Sequence, residues 1–245
     1  EFIWVGTRQQ LSKVEEEDLM VGGQSVTPMV KVRDLGVFID RELTMEAHVS
    51  NTVRGCMYQL RQLRSVKRSL TLDSRRALAT AFVASRIDYC NGVLYGVAKG
   101  EVQRLQMVLN AAARLVVGTG KFSHVTPILR DVLHWLPVQH RISYKIAILA
   151  RDCIHGIGPA YFGDVCAPVT AAPGRTNLRS ATRGDLVIPR TRTKLGERSF
   201  RISAPTVWNS LPDSLKHFAT SRKHFRKELK TYLFRKAYAP ASENY

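Results

Sequence analysis

The chain has 245 residues, 44% hydrophobic and 23% charged, enough for one large or two small domains with real cores. Its charge is unbalanced: 37 Lys and Arg against 20 Asp and Glu give +17 and a pI of about 10.2, which favours phosphate backbones as partners over neutral surfaces. No apolar run approaches the roughly 20 residues of a spanning helix, and the scattered Cys56, Cys90, Cys153 and Cys166 form neither a CxxC pair nor a disulfide framework, so a membrane span, a zinc module and a disulfide scaffold are disfavoured and an intracellular compartment is expected. Glu1 has no Met before it and leads straight into an apolar run, as though the sequence begins inside a domain.

Phe2–Val5 suits a buried strand ending at Gly6. Glu15, Glu16, Glu17 and Asp18 form the one concentrated acidic run, which reads as a solvated loop. Leu19–Val21, Gly22-Gly23 and Val26 predict a β-hairpin, because Gly-Gly accepts the positive φ of a tight turn. Val30-Lys31-Val32-Arg33 alternates apolar and basic, and Leu35–Asp40 reads as another buried strand. These first ~40 residues are too small a sheet to be stable alone.

Thr44 is placed to cap a helix running to about Ser65, with Val49, Val53, Met57 and Leu60 on its apolar face. Arg54, Arg61, Arg64 and Arg68 fall within roughly 80° of arc beside that face. Thr71 and Asp73 then open a long helical hairpin, Leu72–Val117. Its first helix shows Leu78, Phe82, Tyr89 and Val93, and its opening turn carries Arg75 and Arg76. Its second shows Val102, Leu105, Leu109, Ala112 and Val116, with Gly92, Gly96 and Gly100 between the two. Two such stripes should pair as an antiparallel hairpin. A basic face beside a buried one is what a phosphate groove requires, and a solvated basic face is the bland alternative.

Beyond the hairpin, Gly118-Thr119-Gly120-Lys121 lacks the spacing of a phosphate loop and follows a helix, not a strand. Val125–Leu133 predicts a short helix. Trp135 reads as a core anchor and His134 as a structural histidine. Val138–His155 is a further amphipathic helix, with Ile142, Tyr144, Ile146, Ile148 and Leu149 mostly buried, and Pro159–Val165 a helical turn. Pro168, Pro173 and Gly174 mark a loop. Arg175, Arg179, Arg183, Arg190, Arg192, Lys194, Arg198 and Arg201 then crowd one stretch. Leu186–Pro189 is a short strand, Ser203-Ala204-Pro205 caps a helix through Trp208, and Phe218–Ala237 is a basic helix with Phe225, Leu229 and Leu233 on one side. The fold class expected is mainly α: a helical bundle preceded by a small antiparallel β fragment and followed by a mixed, loop-rich region. No DxD, HExxH, GxSxG or Cys-His-Asn arrangement is present, so the residues alone point to a basic binding module.

Several stretches, taken together and in order, carry a resemblance. They are Glu1-Phe2-Ile3-Trp4 with Gly6-Thr7-Arg8-Gln9-Gln10; Val32–Val37 with Asp40; Ser85-Arg86-Ile87-Asp88-Tyr89-Cys90-Asn91; Leu105-Gln106 with Asn110–Arg114; Leu133-His134-Trp135-Leu136-Pro137; Pro189–Arg192 with Gly196–Phe200; and Ala204-Pro205 with Trp208–Pro212. They resemble the C-terminal part of reverse transcriptases of non-LTR (LINE-type) retrotransposons, of jockey-like and related animal clades. The resemblance implies the end of a polymerase palm over 1–41, with a primer-grip hairpin at Leu35, Gly36 and Val37. It implies a helical thumb over 42–120, a helical C-terminal region over 121–166, and an Arg-rich loop and strand segment with a terminal helix over 167–245. Lys31, Arg33, Arg54, Arg61, Arg64, Arg68, Arg75 and Arg76 would then track the phosphates of an RNA and DNA template-primer without reading sequence. The other implied partners are the upstream palm and fingers of the same polymerase, in the nucleus or cytoplasm and away from membranes.

The family's Tyr-Ala-Asp-Asp turn and its further metal-binding aspartate are not in this sequence, nor is the lysine that usually precedes Glu1. Two-metal nucleotidyl transfer needs those carboxylates. No cofactor is therefore expected in this stretch, the magnesium of the parent polymerase being bound upstream, and the stretch alone is expected to be inactive. A non-enzymatic nucleic-acid-binding remnant and an interaction scaffold are the alternatives.

Overall fold

The computed structural model describes residues 1–14, 18–171, 182–216 and 221–239. Glu15, Glu16, Glu17, Pro173, Gly174, Arg175, Arg179 and the helix start expected at Phe218 lie outside them. The chain divides into two compact units: Glu1–Cys90 with Val97–Ile128, and Asn91–Gly96 with Leu129–Tyr245.

The first unit opens with α1 (Arg8–Leu11), a single turn held by a capping box between Thr7 and Gln10. Phe2–Val5 is not a strand. It makes one bridge, Phe2 to Pro28, and Pro28 has no N–H with which to continue a ladder. Two hairpins follow, β1 (Leu19–Val21) with β2 (Gln24–Val26), and β3 (Lys31–Asp34) with β4 (Val37–Asp40). Gly22 and Gly23 both have positive φ, as the first hairpin's two-residue turn demands. In the second, Asp34 pairs with Val37, so Leu35-Gly36 is the turn and the strand expected over Leu35–Asp40 begins only at Val37.

Helix α2 (Glu46–Val66) starts two residues after Thr44, and Thr44 is not its N-cap. The Asp40 carboxylate accepts from the Thr44 and Met45 N–H groups at 2.8 Å each, holding the turn into the helix, while the Thr44 hydroxyl accepts from the first helical donor, the Glu46 N–H, at 3.2 Å. The buried face of α2 is His48, Val49, Cys56, Leu60 and Leu63, while Met57 is exposed and Val53 half-buried. Burial toward α5 brings Cys56 and Leu63 inward and turns Met57 out. After a 3-10 turn at Lys67–Ser69, α3 (Leu72–Ala79) is capped by Thr71, whose Oγ1 accepts from the Ser74 N–H.

A π segment, Thr80–Ala84, joins α3 to α4 (Ser85–Asp88). Its wider turns carry an extra residue, and the buried set becomes Ala79, Val83, Ala84 and Ile87. Phe82, Tyr89 and Val93, expected inside, are exposed. Helix α5 (Lys99–Val117) follows the predicted stripe: Leu105, Leu109, Ala112 and Val116 are buried and Val102 half-buried. It packs on α2 and α3 and ends at Gly118, φ 92°, the left-handed position a glycine occupies without strain.

In the second unit, α6 (Val138–Ile154) buries Val138, Ile142, Ile146, Ala147 and Ile148, leaving Tyr144 half-buried and Leu149 exposed. The helix expected over Val125–Leu133 is a π segment at Ile128–Leu133. The turn expected near Pro159 is a 3-10 turn at Ala160–Phe162. Leu186 makes a single antiparallel bridge to Pro168 in place of a strand. Helix α7 (Lys194–Glu197) is one turn capped by Thr193. Helix α8 (Phe200–Asn209) starts earlier than expected and runs through Pro205. The ring removes one helix N–H bond, and Ser203, Ala204 and Pro205 are buried where α8 packs against α6. Helix α9 (Arg222–Tyr238) lays Phe225, Leu229 and Leu233 inward, with the Phe225 and Trp208 ring centres 5.9 Å apart. The protein is thus mainly α, with two small antiparallel hairpins ahead of the helices. Among the described residues no helix is long and apolar enough to cross a membrane.

Candidate nucleic-acid interface

The first unit carries all eight cationic residues that the sequence singles out. Lys31 and Arg33 are exposed on β3, two residues apart and so on one side of the strand. The Arg33 guanidinium lies 5.8 Å from the ring centre of its cross-strand partner Phe38, a cation–π contact that holds it over the hairpin. Arg54, Arg61 and Arg64 project from α2 and Arg68 from the 3-10 turn after it, all exposed. Because the core face is His48, Val49, Cys56, Leu60 and Leu63, Arg54 and Arg61 lie nearly across the helix from it rather than beside it. No ion pair among the described residues involves these four arginines.

Arg76 is exposed and Arg75 half-buried. Arg75 acts locally. A Cβ built on Gly118 would meet its Nη1 at 3.3 Å and the Lys67 Nζ at 3.5 Å. Two cations therefore converge on the C-terminal end of α5, where unpaired carbonyls carry partial negative charge. Sequence reasoning misses Lys67. Its signal, a Lys at the foot of a helix near Gly118, emerges only when α5 is folded back on α2. Arg86 is a second such case. Its Nη1 would lie 2.9 Å from a Cβ on Gly55, so the small residue in α2 makes room for an exposed guanidinium from α4. Burial pushes the neighbouring Cys56 thiol up to about 11 despite the Arg86 charge.

The Leu35-Gly36 turn has the most unusual backbone of the unit. Leu35 has φ 44° and Gly36 φ 86°, the left-handed pair of a two-residue hairpin turn. A leucine there costs about 1–2 kcal/mol, and the residue is 83% exposed. The Tyr89 hydroxyl donates to the Leu35 carbonyl at 2.6 Å, and the Tyr89 ring lies 3.6 Å from where a Gly36 Cβ would be. The turn is thus braced from beside α4 while its apolar tip and the nearby Arg33 face outward. Val37 behind it is buried.

Other stretches that carry the resemblance hold the second unit together. Asn209 clamps Leu186 on both sides, accepting from its N–H at 2.8 Å and donating to its carbonyl at 2.9 Å. The Trp208 indole donates to the Gly184 carbonyl at 3.0 Å. Lys216 and Asp185, whose side chains are 3% and 5% exposed, form an ion pair at 2.7 Å. His134, φ 52°, bonds the Arg130 carbonyl through Nδ1 at 2.8 Å, which fits a structural histidine. Within the Arg-rich segment, Arg183 pairs with Asp185 and Arg198 donates to the Tyr95 carbonyl, while Arg190, Lys194 and Arg201 are exposed, as is Arg192. Among the described residues no group of three His, Cys, Asp or Glu side chains could hold a metal ion.

Compared with known proteins, the chain is 33% identical over 113 residues to the probable RNA-directed DNA polymerase from transposon BS of Drosophila melanogaster. The match covers 44% of this chain and 12% of that polymerase's length. No protein-family model and no solved structure matches the chain. The similarity relates the chain to a transposon's reverse transcriptase.

Proposed function

We propose that this chain is the part of a non-LTR, LINE-type retrotransposon reverse transcriptase that holds the RNA/DNA template-primer by its backbone. In this reading residues 1–41 end the palm, 42–120 form the thumb, and 121–245 form the C-terminal region. The Leu35-Gly36-Val37 hairpin grips the primer strand, and the exposed cations Lys31, Arg33, Arg54, Arg61, Arg64, Arg68 and Arg76 track phosphates. The observation that carries the reading is the set of exposed arginines on α2, in no ion pair among the described residues, in a chain similar to an RNA-directed DNA polymerase. Guanidinium groups without carboxylate partners can exchange counterions for phosphates, which supplies affinity with no base information. The magnesium-binding carboxylates and the polymerisation step belong to the parts of such a polymerase upstream of this chain, so the chain alone is inactive. It works in the nucleus or cytoplasm.

Competition between labelled and unlabelled RNA–DNA hybrids of unrelated sequence tests the reading. Unrelated competitors should displace the label at equal concentrations. A strong preference for one sequence would point to base readout and end the proposal.

A further inference from the structure

Helix α9 takes no part in template-primer binding as proposed. Its 17 residues hold seven Lys and Arg against the single acid Glu228. Three contacts fix how it is turned. At its start, Arg222 grips both carboxylate oxygens of Asp152 in α6, Nε to Oδ1 at 2.9 Å and Nη2 to Oδ2 at 2.7 Å. Along its middle, Phe225, Leu229 and Leu233 are buried. At its end, the Tyr238 hydroxyl donates to the Trp135 carbonyl at 2.7 Å. With the helix so clamped, Lys223, Lys227 and Lys230 fall within about 60° of arc, roughly 130° from the buried face, and spread over about 10 Å of its length. All three are exposed, and no ion pair among the described residues involves them. Arg226 flanks them, its Nε 3.4 Å from the Tyr144 hydroxyl.

We propose that Lys223, Lys227 and Lys230 form a second phosphate-binding surface, which takes the backbone of a nucleic-acid duplex separately from the α2 arginines. The chemistry excludes two other partners. A helix lying on a membrane needs a free apolar face, and the apolar face of α9 is spent on the protein's own core. A surface for unpaired bases needs exposed rings to stack on. Here Phe234 packs against His134 and Tyr238, and the Lys236 ammonium lies over the Tyr232 ring. What the arc opposite the buried face presents is chiefly Lys223, Lys227 and Lys230, with Arg226 beside them. A duplex strand presents a phosphate about every 3.4 Å of axis, so the stripe spans about three of them.

The test uses the full 245-residue chain. Duplex binding is followed by fluorescence anisotropy between about 50 and 200 mM salt, for the wild type and for the triple variant Lys223→Gln, Lys227→Gln, Lys230→Gln. The slope of log affinity against log salt should become shallower by about 2.7 in the variant, at about 0.9 per phosphate contact. The triple Lys→Arg variant should keep the wild-type slope. Glutamine is a good helix former at exposed sites. Should the triple variant lose its helical circular dichroism, Lys227→Gln alone should still lower the slope by about 0.9. A wild-type slope in a folded Gln variant overturns this inference and leaves the α2 reading standing. A chain that binds no duplex at low salt overturns both. Loss of binding to phosphatidylserine vesicles with duplex binding unchanged would reassign the stripe to membranes and overturn it too.

Discussion

The Tyr89 hydroxyl reaches a carbonyl 54 residues back along the chain, and that one bond steadies a turn whose backbone works against it. Leu35 is a poor choice for φ 44°, which is why its position reads as strand: an apolar residue beside Val37 and Phe38 looks like the start of an alternating run. Only the register, with Asp34 opposite Val37, reveals a turn. Tyr89→Phe should destabilise the first unit by about 1 kcal/mol, the usual contribution of one such bond, when measured by chemical denaturation. A change below the error of that measurement would mean the turn holds itself. Tyr238 gives a residue-level prediction about pH. Burial raises its pKa from 10.0 to about 12, against the charges of Arg141 and Arg130. The folded state therefore favours the neutral phenol more than the unfolded chain does. That stability is fully present below pH 10 and is lost as pH rises toward about 12. Tyr238→Phe should flatten this alkaline loss, and an unchanged alkaline titration of stability would show that another group governs it.

At the level of elements, the long stripes are legible in the sequence and their phases are not. Helix α5 buries Leu105, Leu109, Ala112 and Val116 as predicted because it is a regular helix. Between Leu72 and Asp88 the π segment moves the buried set to Ala79, Val83 and Ile87, and periodicity at 3.6 residues per turn has no means of announcing that extra residue. Likewise the entry to α2 is shared: Asp40 at the end of β4 holds the Thr44 and Met45 N–H groups, and Thr44 takes the Glu46 N–H, a division of labour that the Thr44 signal alone does not reveal. The Trp208-Asn209 pair stands out as a motif, but its clamping of Gly184 and Leu186 depends on partners more than 20 residues away. The buried ion pair beside it makes a sharp prediction. Burial works against the Asp185 carboxylate, yet bonds from Lys216 and Arg183 prevail and hold its pKa below the usual range. Lys216→Met leaves a buried charge with one partner fewer and should cost about 3 kcal/mol in urea denaturation. A variant as stable as the wild type would show that Arg183 suffices. The carboxylate also contributes stability above its unfolded value that is lost as pH falls through its lower folded value.

For the whole molecule, the net charge of +17 points to the partner class before any element is placed, and the fold explains where that charge is free to act. Some cations are engaged internally: Arg222 on Asp152 and Arg183 on Asp185, with the Arg75 Nε bonded to the Thr71 carbonyl. Sequence does not separate these from Arg54, Arg61, Arg64 and Arg68, because the distinction lies in which carboxylates and helix ends come near. The central claim is that these four arginines hold a duplex by its phosphates. The most direct measurement is the salt dependence of RNA–DNA hybrid binding for the full chain and for the variant with Arg54, Arg61, Arg64 and Arg68 all changed to Gln. The account predicts a steep decline of affinity with salt, made shallower by about 3 to 4 in log–log slope in the variant. A wild-type affinity indifferent to salt, or a variant with the same slope as the wild type, would contradict it.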